Sequence, residues 1–297
     1  MSSQKVSSDY IMDKFDSAWQ DPDVAKRYEN AENATRKYAK IIIEKAGLAT
    51  SSADANILDL ATGTGAAVKE LYAAVPKEKW GNLKILGADV SPPMLAYLKG
   101  VGEREGWTGL STQVVDGNKD IDLPAASYTH IFLSFGIFAM PNVLPSLFKL
   151  LKPGGFIGVT TWAALPWHAM LEASINKMED KLYCPSEEEL LTAMYQGRSW
   201  GDKAYVEGQL RDAGFKNVDS LRTTALASTG PPATVLESLK FPIEMIVAAW
   251  WEESKRAENL KRVSEILLED VTERVGGKDG ILKQNFDGNV IWGWKEE

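Results

Sequence analysis

The stretch Asp59-Leu60-Ala61-Thr62-Gly63-Thr64-Gly65 limits what this chain can fold into more than any other segment. It follows a short apolar run, 57–61, and opens a helical stretch, 66–74. Small residues in a strand-to-helix turn let the backbone come close to a ligand, and the helix start offers unpaired N–H groups and a positive dipole end to a carboxylate or phosphate. The same turn can serve packing alone, so a second signal is needed. Asp89 supplies it, 24 residues beyond Gly65 at the end of a second apolar run, 84–89. Doubly wound folds place a carboxylate there on ribose hydroxyls. Asp89 also suits the entry to a helix through Ser91, Pro92 and Pro93, a role compatible with ribose binding.

Beyond this unit, short branched apolar runs keep alternating with helical stretches, the pattern of βαβ units in a mostly parallel sheet. The spacing predicts helix over 93–105, strands over 110–116, 128–134 and 155–162, helix over 202–214 and a strand over 218–225. Ahead of the sheet, Ile11, Phe15, Trp19 and then Tyr38, Ile41, Ile42 recur at helical spacing up to Gly47. After Gly230, Pro231 and Pro232, Leu260, Val263, Leu267 and Val271 form one apolar stripe against a charged face. A strand over 289–294 closes the chain. The expectation is one domain over 1–297: an N-terminal helical cap at 9–48, a ligand-binding core at 55–162, helices and a sixth strand at 163–230, a helical insertion or lid at 231–280 and a final strand at 286–295.

Composition narrows the partners. The formal net charge of −8 argues against nucleic acid, which needs a basic surface. No apolar run reaches the ~18 residues of a membrane span. The N-terminus lacks the basic-then-apolar pattern of a secretory signal, so a cytoplasmic location is expected. With a single cysteine, Cys184, and two histidines, neither an internal disulfide nor a metal cluster is expected.

Nicotinamide dinucleotides share the strand-turn-helix layout. Two residues argue against them. Val68 stands where the dinucleotide fingerprint needs a small residue, and Asp59 would repel a pyrophosphate. The Asp59 carboxylate suits a cofactor carrying a sulfonium and an α-ammonium group.

Residues 57–65 resemble the first motif of class I S-adenosylmethionine (SAM)-dependent methyltransferases. Gly87-Ala88-Asp89-Val90-Ser91-Pro92-Pro93-Met94-Leu95 is similar to their second-strand motif, and Asp116-Gly117 with Leu123-Pro124 and Tyr128 to their adenine loop and fourth strand. Leu151-Lys152-Pro153-Gly154-Gly155 is similar to the turn before their fifth strand. More narrowly, Ser8-Asp9-Tyr10-Ile11, Arg27-Tyr28, Glu105-Gly106-Trp107, Tyr128-Thr129-His130 and Thr161-Trp162 resemble fungal small-molecule methyltransferases of the gliotoxin thiol-methylating type.

The resemblance implies a doubly wound, mostly parallel seven-stranded sheet of Rossmann-like methyltransferase type, with N-terminal helices and a helical insertion before the last strand. It implies SAM as cofactor and, as partner, a small hydrophobic or aromatic acceptor from secondary metabolism. By position it implies that Ala61 and Gly63 face the methionine part, Asp89 the ribose, Val90 and Met94 the adenine ring, and Asp116 with Gly117 the adenine edge. Arg27 and Tyr28 would close over the carboxylate, although Arg27 also reads as an ordinary solvated helix charge. Asp59, Gly65 and Ser134 complete the expected cofactor set.

Methyl transfer from a sulfonium is an in-line displacement that needs proximity and alignment more than an acid or base. His130 falls inside a strand, where it reads as core, and His168, beside Trp167, is the one base candidate. The lack of a base favours thiol acceptors, because a thiol near pKa 8.5 is already partly thiolate at neutral pH. Phe135, Phe138, Trp162 and Trp167 follow strands four and five, at the sheet edge where ligands bind, and either line an acceptor pocket or pack beneath the lid. Methylation of O, N or C stays open. A SAM-binding cyclase or regulator that does not methylate also stays open.

Overall fold

The computed structural model describes residues 19–28, 32–51 and 53–297. The expected helix around Ile11 and Phe15, and the Ser8 to Ile11 motif, lie outside the described residues. Helices are α1 (Val24–Tyr28), α2 (Glu32–Ala46), α3 (Ala66–Ala74), α4 (Pro92–Glu105), α5 (Leu144–Leu150), α6 (His168–Asn176), α7 (Glu187–Met194), α8 (Lys203–Asp212), α9 (Pro232–Trp250) and α10 (Arg256–Val275). Strands are β1 (Ala55–Leu60), β2 (Leu83–Asp89), β3 (Leu110–Val114), β4 (Tyr128–Ser134), β5 (Leu151–Trp162), β6 (Lys216–Gly230) and β7 (Leu282–Trp294).

The seven strands form one sheet in the order β3-β2-β1-β4-β5-β7-β6. β3 to β5 run parallel through β2, β1 and β4, whereas β7 inserts antiparallel between β5 and β6. The fold class is therefore the expected one. Helices cover both faces, so strand residues of either parity are buried. Leu58, Ile131, Leu133, Ile157 and Val159 meet α5 and α8 on one face. Ile57, Phe132, Phe156 and Val290 meet α2, α3 and α4 on the other. Each fully buried aliphatic side chain contributes about 1.5–3 kcal/mol.

α2 lays Tyr38, Ile42 and Ile43 onto the sheet. Two ion pairs, Lys69 to Glu32 and Arg36 to Glu70, both 2.6 Å, bind it to α3. The Tyr38 hydroxyl lies between the Thr223 carbonyl of β6 and the Phe286 carbonyl of β7. Its ring leaves no room at Gly288, where a Cβ would sit 2.6 Å from Tyr38 Cε1.

Several strand limits differ from those read in the sequence. β1 stops at Leu60 because Ala61 adopts a left-handed φ of 56°. β3 stops at Val114, after which the Asp116 side chain caps a turn by accepting the Asn118 N–H. β6 and β7 are longer than expected. Past the Trp162–Gly288 register they pair only with each other, up to Gly230–Leu282, as a ribbon beyond the end of β5. Lys283, Asn285 and Asp287 alternate along this stretch, so it lacks the apolar run of a buried strand. α9 and α10 connect the two ribbon strands and form a separate core with α6, in which Val263, Leu267 and Val271 are buried.

Candidate active site

β1 ends in a turn whose φ angles are 56° at Ala61, 53° at Gly63 and 90° at Gly65. The turn is tied to β2 at both backbone and side chain. Thr62 donates its N–H to the Ala88 carbonyl (3.0 Å), and Gly63 donates its N–H to Asp89 Oδ2 (2.8 Å). The other oxygen of Asp89 accepts the Ser91 N–H at 2.9 Å. Ser91, not Asp89, is the N-cap of α4, its hydroxyl accepting the Met94 N–H. Asp89 therefore braces two loops and lines the space between them.

That space is a cavity of about 500 Å³ at the carboxyl end of β1, β2 and β4, within the usual size of small-molecule sites. Asp59, Ala61, Gly63, Asp89, Val90, Met94, Asp116, Gly117, Ser134, Tyr28, Phe135 and Phe138 line it. Asp59 is only 1% exposed, and its Oδ2 accepts the Thr62 hydroxyl at 2.6 Å. Its Oδ1 has no partner, and neither does the Ser134 hydroxyl. Burial pushes the Asp59 carboxyl up to about 7; the Thr62 hydrogen bond opposes this and the Asp89 charge adds to it. Asp89 is raised as well, mainly by burial, against hydrogen bonds from the Gly63, Ser91 and Val90 N–H groups. For Asp116, desolvation is outweighed by the Asn118 N–H and by Lys119, so its carboxyl is held below the ordinary value. The site thus presents buried, under-satisfied acceptors, the complement of a cation with hydroxyl groups.

Close approach is built into the floor. A Cβ at Gly117 would come within 2.2 Å of Met140 Sδ, and one at Gly136 within 2.5 Å of the Ala61 Cβ. Phe135 takes a left-handed φ of 56°, and its N–H donates to the Thr160 carbonyl of β5 (3.0 Å).

Other expected residues stand elsewhere. Gly65 does not line the cavity; it packs on α4, where a Cβ would meet Leu98 Cδ1 at 2.4 Å. The Arg27 guanidinium is held by Asp21 at 2.8 Å, the carboxylate just ahead of its own helix, and is likewise absent from the lining. His168 is buried with Nε2 2.8 Å from the Pro185 carbonyl, which accepts from that nitrogen, and it borders neither cavity described here. Its imidazole ties the start of α6 to the segment ahead of α7. His130 is a half-buried residue of β4 with Nδ1 2.9 Å from the Thr129 hydroxyl, and desolvation pushes its imidazole down to about 4. Trp162 and Trp167 line a separate cavity of about 170 Å³ beneath α9. Tyr28 and Thr35 border both cavities. Sequence reading missed Thr35, and also Leu239, Pro242 and Gln284 of the second cavity. Nothing local marks them, because they come together from α2, α9 and β7.

Residues 57–155 match the methyltransferase domain family. The chain carries a SAM-dependent methyltransferase domain. Along most of its length it is similar to acetylaranotin bis-thiomethyltransferase of Aspergillus terreus, 25% identical over 86% of this chain and 89% of that protein. The methyltransferase tpcH of Aspergillus fumigatus is 27% identical over 86% of this chain and 91% of its own. In fold, the domain and its helical additions are similar to phosphoethanolamine N-methyltransferase 2 of Haemonchus contortus, solved with phosphomonomethylethanolamine and S-adenosylhomocysteine. That match has a TM-score of 0.58 at 15% identity and spans 97% of this chain but 60% of that one. No helix among the described residues is long and apolar enough to cross a membrane.

Proposed function

We propose that this enzyme holds SAM in the first cavity and methylates a small, mainly apolar molecule, with thiol sulfur as the favoured acceptor atom. The observation that carries the reading is Asp59, a buried residue of the cavity lining whose Oδ1 has no partner, together with Ser134 of the same lining, whose hydroxyl has none either. Two acceptors without donors fit an α-ammonium group, and a carboxylate in that position fits no pyrophosphate. Asp89 offers the remaining lone pairs of a braced carboxylate to ribose hydroxyls. Val90 and Met94 flank the adenine, and Asp116 takes its edge.

When bound, SAM would supply an activated methyl group to the acceptor sulfur, whose proton would be released to solvent. The residues of the chain align and exclude water. Neither histidine is placed to act as a base, and the Asp59 carboxyl, raised to about 7, is the group assigned to the ammonium. His168 is committed to Pro185, and His130 is half-buried in β4 and lines neither cavity. Tyr28, bordering the cavity, has its phenol raised by desolvation and by the Glu32 and Asp89 charges, so it stays neutral. A self-ionising thiol suits such a site better than an aliphatic alcohol. The bis-thiomethyltransferase similarity supports the same acceptor atom.

The test is incubation with methyl-labelled SAM and a panel of dithiols, phenols, amines and indoles, read by mass spectrometry. Label on thiols is expected. SAM binding with no labelled acceptor would favour a protein that uses the cofactor site without transferring methyl.

A further inference from the structure

The second cavity is bounded by α9 on one side and by the ends of β5 and the β6–β7 ribbon on the other. It is separated from the first by Tyr28 and Thr35, which line both, and by Trp162, which stacks on the Phe135 of the first. The two cavities therefore share a wall made by Tyr28, Thr35 and the Phe135–Trp162 stack.

Its chemistry differs sharply from that of the first cavity. Among the described residues lining it, no Asp, Glu, Lys, Arg or His is present. Burying an unpaired charge there would cost several kcal/mol, so its occupant is uncharged. The volume, about 170 Å³, sets the size. An apolar cavity of about 150 Å³ in another protein holds one benzene ring. One ring, or two small fused rings, is what this chamber can enclose.

α9 adds one directional group. Val235, Ser238, Leu239 and Pro242 line the cavity at helical spacing, so they form a single face of the helix. Pro242 has no N–H, and the Ser238 carbonyl one turn earlier loses its α-helical donor. The Ser238 hydroxyl does not replace it, since it donates to the Thr234 carbonyl at 2.9 Å. A ligand N–H, O–H or S–H can take the place of the missing donor.

We propose that the second cavity is the acceptor chamber, binding an uncharged ring that directs a hydrogen-bond donor at the Ser238 carbonyl and its nucleophile past Tyr28 and Thr35. This assignment rests on the methyl-transfer reading and adds the class of substrate to it. It excludes substrates of the phosphoethanolamine kind, which carry both a phosphate and an ammonium group.

The experiment is calorimetry on the full chain with indole and benzofuran, which share a shape but differ in the N–H donor, and with benzoate and phosphoethanolamine as charged probes. SAM binding is measured in parallel. Indole is expected to bind at least threefold more tightly than benzofuran, and the charged probes not at all. Leu239→Trp, which fills the chamber, should weaken indole at least tenfold while SAM affinity stays within twofold; circular dichroism checks the fold, and Leu239→Phe is the milder substitute. Pro242→Ala, which restores the helical donor, should abolish the preference for indole over benzofuran. Indole binding untouched by Leu239→Trp, or equal binding of benzoate, overturns the chamber. A preference that survives Pro242→Ala overturns the role of the Ser238 carbonyl. Mass spectrometry with benzyl mercaptan separates the two readings: ring binding as expected, with no methyl placed on any thiol although SAM binds, removes the acceptor assignment together with the methyl-transfer reading. Loss of SAM binding alone removes only the cofactor site.

Discussion

Phe135 and Trp162 lie face to face, their ring centroids 3.9 Å apart and their planes 23° from parallel. One follows the last residue of β4 and the other ends β5, so the stack forms exactly where the sheet delivers its chain to the ligand edge. Tyr38 of α2 meets both rings edge-on, at 5.3 and 5.7 Å. Removing the indole takes away the stack and one edge contact together. Trp162→Ala is expected to cost about 3 kcal/mol, from lost burial and aromatic contacts. Urea unfolding measures it, and a loss below about 1 kcal/mol would show that the stack contributes little.

Asp89 separates ribose binding from loop bracing. Asp89→Ala strips the acceptors from the Gly63 and Ser91 N–H groups, at a cost of about 1–3 kcal/mol, and removes the ribose contacts. Asp89→Asn keeps one oxygen for one of those N–H groups. Both variants are expected to weaken SAM binding at least tenfold by calorimetry, with the thermal midpoint falling clearly more in the alanine variant. Unchanged SAM affinity would leave Asp89 no role beyond the turn, and midpoints equal to that of the wild type would remove the bracing role.

What could be read from the sequence, and what could not, follows from range. Asp59 to Thr64 and Asp89 belong to local strand-turn-helix units, and they line one cavity. Arg27 pairs with Asp21, six residues away, and in sequence such an ion pair is indistinguishable from a ligand contact. The expected aromatic set divides between two cavities, Phe135 and Phe138 lining the first and Trp162 and Trp167 the second. That division depends on Tyr28, Thr35 and the Phe135 stack, which join α1, α2 and β4. The ribbon halves of β6 and β7 were invisible because each has only one strand partner there and leaves polar residues in solvent.

Asp59 makes both stability and cofactor binding depend on pH, in opposite directions. Its carboxyl titrates at about 7 in the folded chain, because of burial, and near 3.9 when unfolded. Between those values the native state holds a proton that the unfolded chain has released. Its contribution to ligand-free stability is therefore complete below about pH 4, declines as pH rises towards 7 and is flat above. A cation beside Oδ1 favours the carboxylate, so SAM affinity should rise from pH 5.5 to 7 and level off, with proton release on binding. Calorimetry in buffers of different ionisation enthalpy reads that proton. Asp59→Asn should bind SAM at least tenfold more weakly, lose the pH dependence and be more stable than the wild type at pH 8. A flat SAM affinity across this range in the wild type would mean that Asp59 does not face the ammonium group.

Gly136 and Ala61 meet across the cavity floor, and their contact can be tested by compensation. Gly136 has an ordinary backbone φ of −113°, so alanine there is excluded by space alone, its Cβ falling 2.5 Å from that of Ala61. Ala61 cannot yield cheaply, since its φ of 56° is already the left-handed one that the turn requires. Gly136→Ala should therefore cost about 1–3 kcal/mol and displace the turn, weakening SAM binding at least tenfold. Ala61→Gly removes the opposing Cβ and suits a positive φ, so by itself it should change SAM affinity less than threefold. In the double variant the clash is gone, and both stability and SAM affinity should return most of the way to the wild-type values. Simple addition of the two single effects would show that the substitutions act independently, and that the Ala61 turn is not held in place by the glycine opposite it.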